Sequence, residues 1–192
     1  LNQNIKDIFG KVDEGLLLNE HEVVSLFKAR GSNFSAVCDK ANELRKTANG
    51  DEVSFVINRN INYTNVCWVR CKFCAFYRPP GDREGYTLSD KEIFTKVEEL
   101  LNIGGDVPES CEILLQGGLN PKLKIDYYER LFTEISKRYP AAYLHSLSVA
   151  EIVYLAHISK ISIEEALSRL QFAGLKSLPG AGAEILDPEV RN

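Results

Sequence analysis

Between Ser89 and Leu178 the chain alternates capped helices with short apolar strands, and that alternation restricts its fold more than any other feature. Ser89-Asp-Lys-Glu92 is a capping box that predicts a helix running to about Ile103, where Gly104-Gly105 stops it. Glu112 to Gln116 reads as a short buried strand ending at Gly117-Gly118, and Asp126 to Arg138 as a helix. Tyr143 to Leu147 is a strand. Two further capping boxes follow at Ser148-x-x-Glu151 and Ser162-x-x-Glu165, the second opening a helix closed by Gly174. A fourth short strand, Leu175 to Leu178, ends at Pro179-Gly180. Strands separated by whole helices pair in parallel, so the pattern predicts βαβ units in a sheet or barrel.

Upstream the style differs. Val53, Phe55 and Ile57 alternate with polar neighbours, and Asn60 to Val66 repeats that period of two, predicting the first strand. Residues 1–50 read as helices, with Val23, Val24 and Phe27 on one helical spacing and Phe34, Val37, Cys38, Ala41 and Leu44 on another. The expected organisation is an N-terminal helical segment over 1–50 and an α/β unit over 51–192. The 192 residues include no methionine and stop as a new helix begins at Pro188, so the chain is expected to be part of a longer protein.

Cys67-Trp-Val-Arg-Cys71-Lys-Phe-Cys74 lies directly after the first strand. Three thiols on one loop are one short of the four ligands that usually enclose zinc or an iron–sulfur cluster, leaving one coordination position for another group. A zinc clip completed by Cys38, Cys111 or a histidine is the structural alternative; so is a small iron–sulfur electron carrier closed by either of those cysteines. Cys38 falls on a helix and Cys111 at a strand entry, and both are expected to be buried small hydrophobes. Five cysteines, an odd number with three clustered, fit a reducing compartment, and the cytoplasm is the expected location. A net charge of −4 offers no global basic field for nucleic acid or an anionic membrane, and no apolar run approaches a membrane span.

In parallel α/β folds ligands bind at the carboxyl ends of strands. The cysteine loop, Gln116-Gly-Gly118, His145-Ser-Leu-Ser148 and Pro179-Gly-Ala-Gly-Ala-Glu184 each fall at one of those ends, which predicts a single shared site.

The spacing Cys67-x-x-x-Cys71-x-Phe-Cys74 resembles the signature of the radical S-adenosylmethionine superfamily. The run from Asn60 through Cys74-Ala-Phe-Tyr-Arg78 is similar to a narrower group within it, the futalosine-pathway menaquinone enzymes and the deazaflavin synthases. Gln116-Gly-Gly-Leu-Asn-Pro121, Leu144-His-Ser-Leu-Ser148 and Ser177-Leu-Pro-Gly-Ala-Gly-Ala-Glu-Ile-Leu186 extend the likeness, which tilts toward the enzymes that cyclise dehypoxanthine futalosine. The resemblance implies a partial parallel (β/α) barrel with about four of the superfamily's six strands present. It also implies a [4Fe–4S] cluster on Cys67, Cys71 and Cys74 whose fourth iron binds S-adenosylmethionine, giving a 5′-deoxyadenosyl radical that attacks a nucleoside-derived substrate. Gln116, Gly117 and Gly118 would lie by the methionine end of that cofactor, and Phe73 near its adenine or shielding the cluster; Glu184, in a glycine-rich strand-end loop with no capping role, is a candidate for contact with a ribose.

His145 is a candidate for proton transfer or substrate binding, and Tyr77 for lining the substrate pocket. Glu151 and Glu165 have a sufficient explanation as capping residues. Arg59, Arg70, Lys72, Arg78 and Arg83 form a basic collar around the cysteines. Such a collar suits a substrate carboxylate, the cluster's charge, or an acidic electron donor such as flavodoxin or ferredoxin.

Overall fold

In the computed structural model the described residues are 1–103, 111–180, 185 and 187–191. The chain divides into two compact units, Leu1–Phe55 and Val56–Asn192. The first contains three helices: α1 (Gln3–Asp13), α2 (Glu20–Phe27) and α3 (Ser32–Asn49). Asn19 caps α2 in a reciprocal box with Glu22, and the same carboxylate pairs with Lys11 of α1. Cys38 is exposed on α3, so the expectation of a buried cysteine there is corrected: the helix turns it to solvent.

The second unit is built on a four-stranded parallel sheet whose spatial order, β1-β2-β3-β4, is also its order in the chain. The strands are β1 (Asn58–Ile61), β2 (Cys111–Leu115), β3 (Ala142–His145) and β4 (Leu175–Ser177). Helix α4 (Asp90–Leu101) connects β1 to β2, and α5 (Ile125–Arg138) connects β2 to β3. The last crossover carries α6 (Val149–Ser159) and α7 (Ile163–Ala173), and α8 (Pro188–Arg191) follows β4. A sheet wound in one direction without a switch point is the arrangement of a (β/α) barrel, here a partial one, rather than of a doubly wound sheet.

The core follows from the helical period. On α5, Tyr128, Leu131, Phe132 and Ile135 recur at three- and four-residue intervals and are all buried. They meet Ile113 and Leu115 of β2 and Leu144 of β3 in one cluster, each side chain contributing about 1.5–3 kcal/mol of apolar burial. The boxes at Ser89 and Ser148 form with both halves. At Ser162 only the bond from the Glu165 amide to the serine hydroxyl is made, so α7 begins with half of the expected box.

The first strand is shorter than its alternation predicts. Residues 53–57 are not in a strand, and β1 stops at Ile61. Val53 and Phe55 are largely exposed, so their alternation has no buried face. The registers Ile61↔Leu115, Ile113↔Leu144 and His145↔Ser177 place the carboxyl ends of all four strands along one edge.

Candidate functional site

The loop that carries the three cysteines leaves that edge and returns to it. Its neck is closed by backbone bonds from Cys67 N–H to Arg78 C=O (2.9 Å) and from Arg78 N–H to Asn65 C=O (2.8 Å). Within the loop, Cys74 N–H donates to Cys71 C=O at 3.1 Å, and Arg70 takes a left-handed backbone conformation, φ 57°, that turns the chain between the first two thiols. Below the neck, buried Thr64 ties the loop down. Its hydroxyl donates to Tyr86 C=O (2.7 Å) and accepts from the Val66 amide and the Asn120 side-chain amide. Trp68 packs on Tyr154 of α6, ring centroids 5.7 Å apart.

Gly117 and Gly118, at the end of β2, lie directly against this loop. A Cβ on Gly118 would sit 2.3 Å from Val66 O and 2.9 Å from Cys67 Cβ; one on Gly117 would sit 2.9 Å from the Tyr63 ring. The chain's own backbone therefore fills the space that the missing side chains release. Gly118 N–H donates to Thr64 C=O at 2.9 Å, joining the two strand ends.

A cavity of about 480 Å³ opens where these segments meet, a size typical of small-molecule sites. Cys67, Cys71, Cys74, Phe73, Tyr77, Gln116, Gly117 and Gly118 all border it, so eight of the residues singled out in the sequence share one site. His145 does not border it: its Nδ1 is 2.6 Å from Ser177 Oγ, across a β-bulge between β3 and β4 at the same edge. Glu184 lies outside the described residues.

The sequence reading missed one wall of the cavity. Leu147, fully buried, adopts φ 62°, and its amide donates to Leu115 C=O at 2.8 Å. This turn presents Ser148 as the cap of α6 and brings Glu151, only 5% exposed, to the cavity. Glu151 Oε2 accepts from Ser148 N–H (2.6 Å) and Ser148 Oγ (2.8 Å), as a capping residue should. Its other oxygen, Oε1, accepts from the Tyr63 hydroxyl (2.8 Å) and Gly117 N–H (3.0 Å). Capping is thus half of what Glu151 does, and the expectation that it suffices is corrected. Burial pushes the Glu151 carboxyl above its ordinary range, while the four donors pull it back down. Burial likewise raises the Tyr63 hydroxyl well above its usual range and the Tyr128 hydroxyl with it, so both stay protonated as donors.

The basic collar is smaller than the sequence implies. Arg59 pairs with Glu99 of α4 at 2.7 Å and Arg78 with Glu84 at 2.7 Å. Among the described residues Arg70, Lys72 and Arg83 make no ion pair. Among the described residues no lysine or arginine borders the cavity itself.

All five cysteines are free thiols. Among the described residues no three His, Cys, Asp or Glu side chains are drawn into a cage for a single metal ion. The loop's chemistry fits an iron–sulfur cluster: three soft thiol donors border one cavity. Cys38 lies in the other unit and Cys111 is fully buried at the opposite end of β2.

A parallel, singly wound sheet with three thiols at its carboxyl edge defines a barrel-type cofactor enzyme. The model of the radical SAM superfamily matches residues 61–192, and the chain belongs to that superfamily, whose members use a [4Fe–4S] cluster and S-adenosylmethionine. The chain is 42% identical over 189 residues to cyclic dehypoxanthine futalosine synthase of Halalkalibacterium halodurans, covering 98% of this chain and 49% of that protein. It is 38% identical over 174 residues to FO synthase of Nocardia farcinica, covering 91% and 20%. Over 151 residues it is 42% identical to 5-amino-6-(D-ribitylamino)uracil–L-tyrosine 4-hydroxyphenyl transferase of Methanopyrus kandleri, covering 79% and 40%. The chain therefore spans about half, or less, of the length of these relatives.

Proposed function

We propose that the chain is the cluster-bearing part of an enzyme that cyclises dehypoxanthine futalosine in menaquinone biosynthesis. The observation that carries this reading is the 42% identity to a cyclic dehypoxanthine futalosine synthase across 98% of the chain. Cys67, Cys71 and Cys74 would hold the cluster, leaving its fourth position to S-adenosylmethionine. Together the two groups supply one-electron cleavage of the sulfonium and the hydrogen abstraction that follows.

The chain's own residues bind and orient. The Gly117–Gly118 turn fixes the height of the cysteine loop above the strand ends, and Gln116 presents its side chain at the rim. Phe73 and Phe76, both largely exposed, and Tyr77 offer apolar surface at the cavity against which a substrate could pack. Asn62, which also borders the cavity, offers a side-chain amide suited to a nucleoside-derived substrate, while Asn65 and Tyr86 are held by bonds to Glu84 C=O and Asn62 C=O. Arg70 and Lys72, flanking Cys71, suit an acidic electron donor such as flavodoxin or ferredoxin. Five free thiols fit the reducing cytoplasm.

The similarity to FO synthases favours a sister reaction as the second reading. The test is product analysis on the full-length protein, reconstituted and reduced anaerobically with S-adenosylmethionine. Cyclised dehypoxanthine futalosine together with 5′-deoxyadenosine is the expected result. Formation of 5′-deoxyadenosine without cyclised product would overturn the cyclase assignment, and no 5′-deoxyadenosine would overturn the radical chemistry.

A further inference from the structure

The charge of the cavity wall is one-sided. Apart from the three thiols, tyrosines and one carboxylic acid, none of the described side chains that border it is ionisable. That acid, Glu151, is 5% exposed and comes from the first turn of α6. All four groups bonded to it are donors: the Ser148 amide and hydroxyl, the Gly117 amide and the Tyr63 hydroxyl. Tyr128 completes the chain by donating to Tyr63, their oxygens 2.9 Å apart. Ser148 Oγ can give its proton to Glu151 because it accepts from the Glu151 amide at 3.2 Å. The two backbone amides can only donate, and with both hydroxyl protons turned toward the carboxylate the four bonds stabilise the anion against the burial that opposes it. The donors also occupy the carboxylate's lone pairs. Glu151 therefore reaches a ligand through its field rather than by direct contact.

We propose that Glu151 is a specificity-determining residue whose buried negative charge makes the cavity select a cationic ligand, the sulfonium of S-adenosylmethionine, over its neutral demethylated thioether analogue, S-adenosylhomocysteine. The inference rests on the cofactor reading above. The two ligands share their adenosine and amino-acid parts and differ by one methyl group and one positive charge, so their affinity ratio isolates the charge. A carboxylate held out of water in the wall, with no lysine or arginine among the described residues bordering the cavity, is screened far less than a surface charge. Removing it should change the ratio on the order of tenfold. The helix dipole of α6 opposes the effect only in part, since the first amide the carboxylate meets is already bonded to it.

The experiment is equilibrium binding of S-adenosylmethionine and S-adenosylhomocysteine to the full-length, cluster-loaded protein, with the cluster oxidised to prevent turnover, at pH 8. Glu151→Gln should lower the preference for the sulfonium about tenfold while leaving affinity for the thioether within twofold. Glu151→Asp, which keeps the charge, should restore the preference. Ala150→Lys, at an exposed position on the same wall, should lower it as well, and stands in if the Gln variant does not fold. Equal weakening of both ligands by Glu151→Gln, as a merely structural role would give, overturns the proposal. So does an unchanged ratio in any folded variant that removes or opposes the charge. Wild-type protein that binds neither ligand overturns the cofactor reading instead.

Discussion

Gly118→Ala tests whether the strand-end glycines hold the cysteine loop in place. The new Cβ would lie 2.3 Å from Val66 O, 2.7 Å from Val66 C and 2.9 Å from Cys67 Cβ. Ordinary contacts between such atoms begin above 3 Å, so the two strand ends must separate by about 1 Å. Two of the three obstructing atoms are backbone, and no side-chain rotation relieves them. Overpacking of this kind costs about 1–3 kcal/mol, which for a domain of this size lowers the melting temperature by about 3–10 °C. The displacement falls on Cys67, the first of the three cysteines proposed to hold the cluster, so iron content after anaerobic reconstitution should fall together with stability. The measurements are a thermal melt by circular dichroism and iron per polypeptide with the visible absorbance of the cluster. Gly10→Ala, in the middle of α1 where a Cβ meets nothing within 4 Å, is the control and should be neutral or stabilising by up to about 1 kcal/mol. A Gly118→Ala protein with wild-type melting and full iron would show that the tight approach is not required.

Replacing Cys67, Cys71 or Cys74 singly with serine should abolish the brown absorbance of reconstituted protein, whereas Cys38→Ser and Cys111→Ser should retain it. Retention of a full cluster by any of the first three would remove that residue from the ligand set. The raised carboxyl of Glu151 fixes the sign of a pH effect: the folded state binds the proton more tightly than the unfolded one, whose value is near 4.5. The contribution of this group is therefore complete below about pH 4.5 and is lost as pH rises through the folded value. The melting difference between wild type and Glu151→Gln should shift against the wild type over that interval, and a shift in its favour refutes the assignment. Gly174→Ala should destabilise by about 1–3 kcal/mol in chemical denaturation, because φ is +119° there and the Cβ would meet Ser136 Oγ at 1.9 Å. An unchanged denaturation midpoint would contradict it.

What the sequence made legible is what short-range chemistry encodes. Ser89 with Glu92 and Ser148 with Glu151 mark helix starts because a cap and its partner lie three residues apart and need nothing beyond the helix itself. The cysteine spacing, the Gly-Gly after β2 and the run of alternating elements are local in the same way, and they located eight residues of one cavity. Where a pattern needed a partner strand it failed in part: Ile57 C=O accepts from Glu112 N–H of β2 at 3.0 Å and its side chain packs on the core, but Val53 and Phe55 stay outside the sheet and exposed. Cys38 failed similarly, since a small apolar residue on a helix is buried only if something covers that face.

By itself, then, the sequence determined the parallel α/β architecture and the gathering of three thiols on one loop. Only the tertiary structure decided which groups share the cavity's charge. Glu151 reads as a cap because Ser148 is three residues away, but its second oxygen is held by Gly117 and Tyr63, which are 34 and 88 residues distant. No local pattern records bonds of that span. They exist because parallel pairing sets the ends of β1, β2 and β3 side by side, so that one buried carboxylate can take donors from all three.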